Sequence, residues 1–590
     1  MHISRIGRNS LKVRLGLAAL YLVLSLGAVT TLYPFLLMLS TATKSQSDFN
    51  DYAPARLIPA YWREDSALYV KYLEDCYANN LDELNAAHHA DYKKIAEVPV
   101  PKSDESAGSV VEWQRFAESL PTHLLRAGFG EHENAPAPLL MRFRDWLKEK
   151  YGNDIDALNK SWREENVRFE TITAPIEKPS LRAWMPQSDR PKVKDWFEFR
   201  KNLPKNYLVP TFGDALWRKY LKEDIYQGKL ADLNTAWKTR ITDWEALTLP
   251  STAPTGAAFR DWEAFMRTKF PLRMLKIDAS AAPAWQAFLT KRKRPQIVLP
   301  AVPPAEGLSL TDWMEFLKAD APISAFTAET PESLWREHLQ NPNAQPPQAA
   351  LDFAYVQTHS PELRRDFTTR NFIHVYRQLM TGGQSGRTLF NTVVFCTLSI
   401  LGALIVNPLC AYALSRYPLP YTYKVLLFLL ATMAFPAEVA MIPNFLMLKS
   451  LGLLNTFGAL ILPGLASGYS IFLLKGFFDS LPKELYEAGI LDGASELMMF
   501  AKITLPLSLP IFSVIALHAF TGAYGAFLFA LVVCQDPKMW TIMVALYNLQ
   551  SNAPQYVIFA ALTLAALPIL IVFLAAQKVI LRGIVLPSFK

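Results

Sequence analysis

Glu487-Ala488-Gly489-Ile490-Leu491-Asp492-Gly493-Ala494, followed eight residues later by Ile503-Thr504-Leu505-Pro506, is the stretch on which the reading of this chain turns. It lies between long apolar segments and is the only long, charge-rich stretch in that half of the sequence. Residues 476–504 read as helix, turn, helix. Ser480 is placed to cap the first helix, with Pro482 in its first turn, where a missing N–H costs nothing. Leu485, Ala488 and Leu491 recur on one helical face. Asp492-Gly493 is a turn signal, because Gly supplies backbone angles closed to other residues. Ser495 and Glu496 open the second helix, where negative charge suits the helix dipole. A short amphipathic helix of this kind needs a partner, either the lipid surface or a groove on another protein.

The chain has 590 residues, 51% of them hydrophobic, with a mean hydropathy of +0.10. Those averages hide two regions. Residues 45–385 are polar, and the rest is mostly apolar runs. A hydrocarbon core about 30 Å thick needs about 20 apolar residues per helix. Spans are predicted near 15–43, 389–415, 424–448, 456–475, 505–534 and 556–577. The predicted fold class is therefore an all-α integral membrane protein of six transmembrane helices, with a large insert between the first two.

Lys and Arg mark the cytoplasmic side. Arg5, Arg8, Lys12 and Arg14 precede the first span. Arg416 and Lys424 follow the second, Lys475, Lys483 and Lys502 follow the fourth, and Lys578, Arg582 and Lys590 end the chain. The short loops of the other side hold only Lys449 and Lys538. This puts the insert outside and the 476–504 loop inside a bacterial cytoplasmic membrane. The first apolar run exceeds the signal-peptide core of about 7–15 residues, so an uncleaved signal anchor is expected. The net charge of +7 is dispersed, without a basic run or motif for nucleic acid. Of four cysteines only Cys76 lies in the polar region, which excludes a disulfide within it.

The Glu-Ala-Gly stretch resembles the coupling loop of the binding-protein-dependent transport permease family, on its carbohydrate-uptake, maltose-type branch. The likeness extends over residues 388–590 and the first span. It includes Tyr33-Pro34-Phe35, Ala411-Tyr412-Ala413-Leu414-Ser415-Arg416, Ile442-Pro443, Leu451-Gly452-Leu453-Leu454-Asn455-Thr456 and Leu481-Pro482-Lys483-Glu484-Leu485. The resemblance implies a permease subunit without chemistry or a bound cofactor of its own. It implies a second permease subunit in a heterodimer, two ATP-binding subunits that use ATP, and an extracytoplasmic solute-binding protein. It assigns ATPase coupling to Glu487, Ala488, Gly489, Asp492, Gly493, Ala494, Ile503, Leu505 and Pro506. Two departures stand out. The third motif position is Gly489 where Ala is usual, and Tyr524-Gly525 occupies the place of a frequent Trp-Asn pair in the fifth span. This chain has no Gly-x4-Gly-Lys-(Ser/Thr) phosphate loop, and Gly382-Gly383-Gln384 reads as a linker. The implied domains are 1–44 (N-terminus and first span), 45–385 (extracytoplasmic insert) and 386–590 (five-helix core).

Glu438 and His518 are ionisable residues at membrane depth. Such groups face protein or a water-filled cavity, so they join Tyr524 and Gly525 as candidates for the solute pathway. The competing reading of each is a helix–helix hydrogen bond, or for Glu438 a position near the outer interface of the membrane. The insert holds thirteen of the fourteen tryptophans and repeats itself. Leu73-x3-Tyr77-x6-Leu84-Asn85 recurs as Leu147-x3-Tyr151-x6-Leu158-Asn159-x2-Trp162 and, with one slip, as Leu221-x4-Tyr226-x6-Leu233-Asn234-x2-Trp237. Trp113-x2-Phe116, Trp196-x2-Phe199, Trp262-x2-Phe265 and Trp313-x2-Phe316 form a second series. The spacing predicts stacked short helices, three clear copies and a degenerate fourth. His88, His89 and His132 have no metal-ligand spacing. The alternative to a permease is a membrane-anchored glycan-binding or glycan-processing protein, for which a single anchor helix would suffice.

Overall fold

The computed structural model describes residues 11–583, apart from 46–47, 49–56, 102–106, 128–137, 167, 170–171, 176, 179, 184–189, 204–206, 301–307, 381–386, 418–419, 434–435 and 552. The Gly382-Gly383-Gln384 linker lies outside the described residues. The chain forms two compact units, Thr43–Arg370, and Met1–Ala42 with Asn371–Lys590. Both are mainly helical.

In the Thr43–Arg370 unit one order of elements recurs: a helix, a second helix, a third helix and a three-residue strand. The first copy runs Asp65–Cys76, Leu81–His88, Ala107–Ser119 and Leu125–Ala127. The second runs Pro138–Lys150, Ile155–Trp162, Pro191–Lys201 and Leu208–Pro210. The third is Asp214–Lys219 with its π-helical continuation Tyr220–Ile225, then Leu230–Trp237, Ala258–Thr268 and Leu275–Ile277. A shorter fourth copy has Ala282–Lys291, Leu308–Glu315 and Phe326–Ala328. The strands pair antiparallel, with Arg126 opposite Val209 and Lys276 opposite Thr327.

The repeated letters have specific work in this unit. After each eight-residue helix the chain turns through a left-handed residue, His89, Arg163 or Lys238, at φ 50°, 59° and 58°. The Asn of each Leu-Asn phrase then clamps the backbone seven residues on. Asn85 donates to the Tyr92 carbonyl at 3.0 Å and accepts its N–H at 2.9 Å. Asn159 does the same with Asn166, and Asn234 with Ile241. The repeated Tyr and Trp share one carboxylate. Tyr151 and Trp162 both donate to Asp195 at 2.7 Å, and Tyr226 and Trp237 donate to Asp261 at 2.6 and 2.7 Å. In the first copy His88 stands where the others have Trp, and it meets Asp352 together with the Tyr77 hydroxyl.

Aromatic pairs join the first and third helices within the middle copies. Phe143 packs on Trp196, Trp217 on Phe265, and Trp285 on Trp313, at ring separations of 5.0, 5.1 and 5.4 Å. At the ends the partners are exchanged. Trp113 and Phe116 pack on Trp335 of helix Pro331–His338, at 5.2 and 5.1 Å. Tyr69 and Tyr72 pack on Phe353 and Tyr355 near the start of helix Gln348–Met380, each at 5.3 Å. The N- and C-terminal parts of the unit thus complete each other, the arrangement that lets a domain be inserted into a host chain through neighbouring ends.

Among the described residues of the other unit, three helices are long and apolar enough to cross a membrane: Val13–Thr41, Thr388–Arg416 and Gln555–Gln577. Two bent pairs add Phe457–Gly464 with Gly468–Asp479, at 49°, and Glu496–Leu507 with Leu509–Gly525, at 84°. The segment predicted as one span at 424–448 is two helices, Thr422–Met433 and Ala437–Ser450. Pro436 precedes the second, and proline disfavours helical backbone in the residue before it. The 84° bend falls at Ser508, between Pro506 and Pro510, each in the first turn of its helix. The predicted span 505–534 is therefore not one rod, and its end is a separate helix, Leu528–Val533. The 49° bend is stabilised by Asn407, fully buried on helix Thr388–Arg416, whose side-chain oxygen accepts the Ser467 N–H at 2.8 Å.

Candidate functional site: the 476–504 loop

The loop takes its shape from local chain chemistry. Helix Gly468–Asp479 ends at Ser480, whose hydroxyl donates to the Phe477 carbonyl at 2.6 Å. Ser480 thus closes the preceding helix and does not cap the next one, contrary to the sequence expectation. Helix Glu484–Leu491 starts from Lys483 without a side-chain cap. It ends with the Ala494 N–H on the Gly489 carbonyl and the Gly493 N–H on the Ile490 carbonyl, at 2.9 and 3.0 Å. This is a Schellman ending, with Gly493 at φ +73° in the left-handed position. The Asp492 N–H closes on Ala488 at 2.9 Å. Ser495 then caps helix Glu496–Met499 through the Met498 N–H at 3.3 Å.

The motif's spacing now has a physical cause. A Cβ on Gly489 would stand 3.3 Å from both Met499 Sδ and Ile503 Cδ1. Gly489 and Ile503 therefore meet across the turn, and a small residue at 489 admits the larger one at 503. Tyr486 and Thr504 share a buried hydrogen bond of 2.8 Å between the same two arms. Ala494 packs against the same cluster. Glu487 and Ala488 face outward, and Leu505 and Pro506 open the short helix Leu505–Leu507 that leads into the bend.

Residues beyond the motif hold the loop to the helices above it. The Arg416 guanidinium lies 3.6 Å from the Tyr486 ring centre and donates to the Phe478 carbonyl at 2.6 Å. Tyr412 donates to Glu496 at 2.9 Å, and Ser415 and Lys475 both reach Asp479 at 2.6 Å. The sequence marks Arg416 as a topology signal and as the end of the Ala411–Arg416 phrase, without assigning it a contact to the loop. The available signal was its place at the end of the Ala411–Arg416 phrase, beside an aromatic-rich loop. With Tyr486, Met499 and Thr504 turned in, the opposite side is apolar and open. Leu491 is 88% exposed and Leu497 73%, and Leu485, Ile490 and Met498 are exposed beside them.

The pathway candidates do not converge in the same way. Glu438 is exposed in the first turn of helix Ala437–Ser450. His518 is exposed on helix Leu509–Gly525, with its ring 5.5 Å from that of Tyr469. Gly525 is the exposed last residue of that helix. Tyr524 is buried, and its hydroxyl donates to the Ala565 carbonyl at 2.6 Å. That contact ties two helices together. Tyr524→Phe should therefore lower the thermal midpoint of the purified protein, by roughly 1 kcal/mol of stability, while leaving the solute KM unchanged. A raised KM with unchanged melting would instead put the hydroxyl on the solute. Among the described residues, no cluster of His, Cys, Asp or Glu is placed to hold a metal.

Residues 374–585 match the family described as binding-protein-dependent transport system inner membrane component. The chain is 30% identical over 265 residues to the polygalacturonan/rhamnogalacturonan transport system permease protein of Bacillus subtilis, covering 41% of this chain and 92% of that one. It is 32% identical to the galactooligosaccharides transport system permease protein of the same organism, covering 35% and 77%. It is 29% identical to the diacetylchitobiose uptake system permease protein of Streptomyces coelicolor, covering 36% and 73%. Among solved structures, one of a bacterial ABC transporter that imports alginate aligns at 24% identity and a TM-score of 0.31, over 35% of this chain and 78% of that one. With this degree of identity over most of the relatives' length, and with the apolar helices described above, the chain belongs to the family of binding-protein-dependent transport-system permeases, the membrane components of ABC importers.

Proposed function

We propose that this chain carries a saccharide or oligosaccharide across a bacterial cytoplasmic membrane, driven through the 476–504 loop by a separate ATPase. The solute class is drawn from relatives named for galactooligosaccharide transport, polygalacturonan/rhamnogalacturonan transport and diacetylchitobiose uptake. The working complex has a second permease subunit, two ATP-binding subunits and a solute-binding protein outside. Six spans come from the three long helices, the two bent pairs, and helices Thr422–Met433 and Ala437–Ser450 taken together as one crossing. The basic residues then leave the loop inside and residues 45–385 outside.

The observation that carries this reading is the two-sided loop. One side is fixed by Tyr486, Thr504 and Arg416, and the other presents exposed Leu491 and Leu497. An apolar edge on a short, firmly held helix suits docking into a groove on a partner. Leu491→Asp combined with Leu497→Asp should reduce recovery of the ATPase with the purified membrane subunits by about tenfold or more. Full recovery of the ATPase with the double variant would show that this edge is not the docking face.

A further inference from the structure

The Thr43–Arg370 unit contains a cavity of about 420 Å³, made entirely from its own residues. That lies within the range of roughly 300–1,000 Å³ typical of small-molecule sites. Three ion pairs line it. Arg126 meets Glu83 at 2.5 Å, Lys219 meets Asp82 at 2.7 Å, and Lys269 meets Asp224 at 2.9 Å. The first is a built feature. Arg126 is 5% exposed, donates to the Ala127 carbonyl at 3.3 Å, and lies 5.4 Å from the Tyr77 ring centre. Apolar surface from Leu181, Leu216 and Tyr220 also lines it, and Leu181 is 53% exposed. Thr211 also lines the cavity. It is 8% exposed, and its hydroxyl has no protein partner.

Charge balance narrows the ligand. Among the described residues every cation in the wall is matched by a carboxylate, and Glu223 adds another. A phosphate, sulfate or uronate would enter against those carboxylates, and a cationic ligand would compete with the lysines already paired. Neutral hydroxyl groups both donate and accept, so they can bridge ion pairs without disturbing them. A ring with hydroxyls at its edge and C–H groups on its face also suits an apolar wall beside paired charges. We propose that this cavity binds a short neutral saccharide. Neutrality follows from the cavity itself. The choice of a saccharide among neutral polyols rests on the carbohydrate-import reading.

The test uses the full chain in nanodiscs, without binding protein or ATPase. The probes are maltotriose, diacetylchitobiose, a galactooligosaccharide and digalacturonate. Saturation-transfer NMR and calorimetry should detect at least one neutral probe and reject the acidic one. Ala215→Leu, which fills the cavity from helix Asp214–Lys219, should weaken that binding about tenfold or more. Unchanged tryptophan emission would show that the unit stays folded. Asp224→Asn, at the exposed rim, is a second variant that should weaken binding without touching the core. His518→Ala, in the membrane helices, should leave it unchanged. Binding by none of the neutral probes, binding indifferent to both cavity variants, or binding lost only with His518→Ala overturns the proposal. A complete complex that transports one of these sugars, while the chain alone binds none, overturns the cavity and leaves the import reading standing. A chain that binds a sugar in the cavity, within a complex that transports none, does the reverse.

Discussion

Gly493→Val should reduce solute-stimulated ATP hydrolysis of the reconstituted complex by an order of magnitude or more, and Gly493→Asn should largely preserve it. Gly493 sits at φ +73° with nothing within 4 Å of the position a Cβ would take. The cost of a side chain there is therefore backbone strain and not a clash. For an ordinary L-residue, left-handed backbone costs roughly 1–2 kcal/mol, and a β-branched residue suffers most, whereas Asn tolerates it. The cheapest relief is to unwind the last turn of helix Glu484–Leu491. That would break the Ala494-to-Gly489 and Gly493-to-Ile490 bonds and move Leu491, the most exposed apolar residue of the docking edge. Basal ATP hydrolysis and assembly of the membrane subunits should change much less, because Tyr486 and Thr504 remain to hold the loop root. Equal activity of the Val and Asn variants would show that the left-handed turn does not matter to coupling.

What the sequence made legible was chemistry that is local along the chain. The Asp492-Gly493 turn and the Ser495 cap are set by residues within three or four positions of each other, and both stand in the structure. The Ser480 expectation failed because two helices compete for that residue. Its hydroxyl can cap the end of one or the start of the next, and with Leu481 packed into the core the earlier helix has it. The segments at 424–448 and 505–534 are not single straight helices, for a related reason. Apolar length reports the capacity to cross a membrane, while Pro436, Pro506 and Pro510 decide whether the crossing is one straight helix.

In the polar unit, the Leu-Asn and Trp-x2-Phe phrases were visible as periodic letters. Their partners were not, because Asp352 reaches His88 from 264 positions away, and Trp335 reaches Trp113 from the far end of the repeat. A further phrase was also readable: Leu120-Pro121, Leu203-Pro204, Phe270-Pro271 and Ala321-Pro322 each precede one of the four short strands. Three-residue strands carry almost no periodicity, so the phrase alone does not announce a strand.

Asp195→Ala should destabilise the Thr43–Arg370 unit by about 3–5 kcal/mol. The carboxylate is 5% exposed and accepts from Tyr151 and Trp162 at 2.7 Å and from Lys150 at 3.0 Å. Its removal takes the acceptor from the buried Trp162 indole N–H, at about 1–3 kcal/mol, leaves the half-buried Tyr151 hydroxyl with Ser161 alone at 3.1 Å, and takes one of two anions from Lys150. Asp195→Asn keeps an oxygen for the two neutral donors and should cost only about 1 kcal/mol. Tryptophan emission during urea unfolding of the full chain is a selective probe, because Trp540 alone lies outside this unit. The Ala variant should bring that transition to markedly lower urea, with the Asn variant close to the parent. Asp261→Ala should reproduce the effect, since Tyr226 and Trp237 converge on it with the same geometry. If the carboxylates are instead a paired catalytic device, Asp195→Asn and Asp261→Asn would abolish an activity while leaving stability intact. The three donors already committed to Asp195 argue against that. The repeated Tyr-Trp-Asp cluster holds the copies of the repeat in shape.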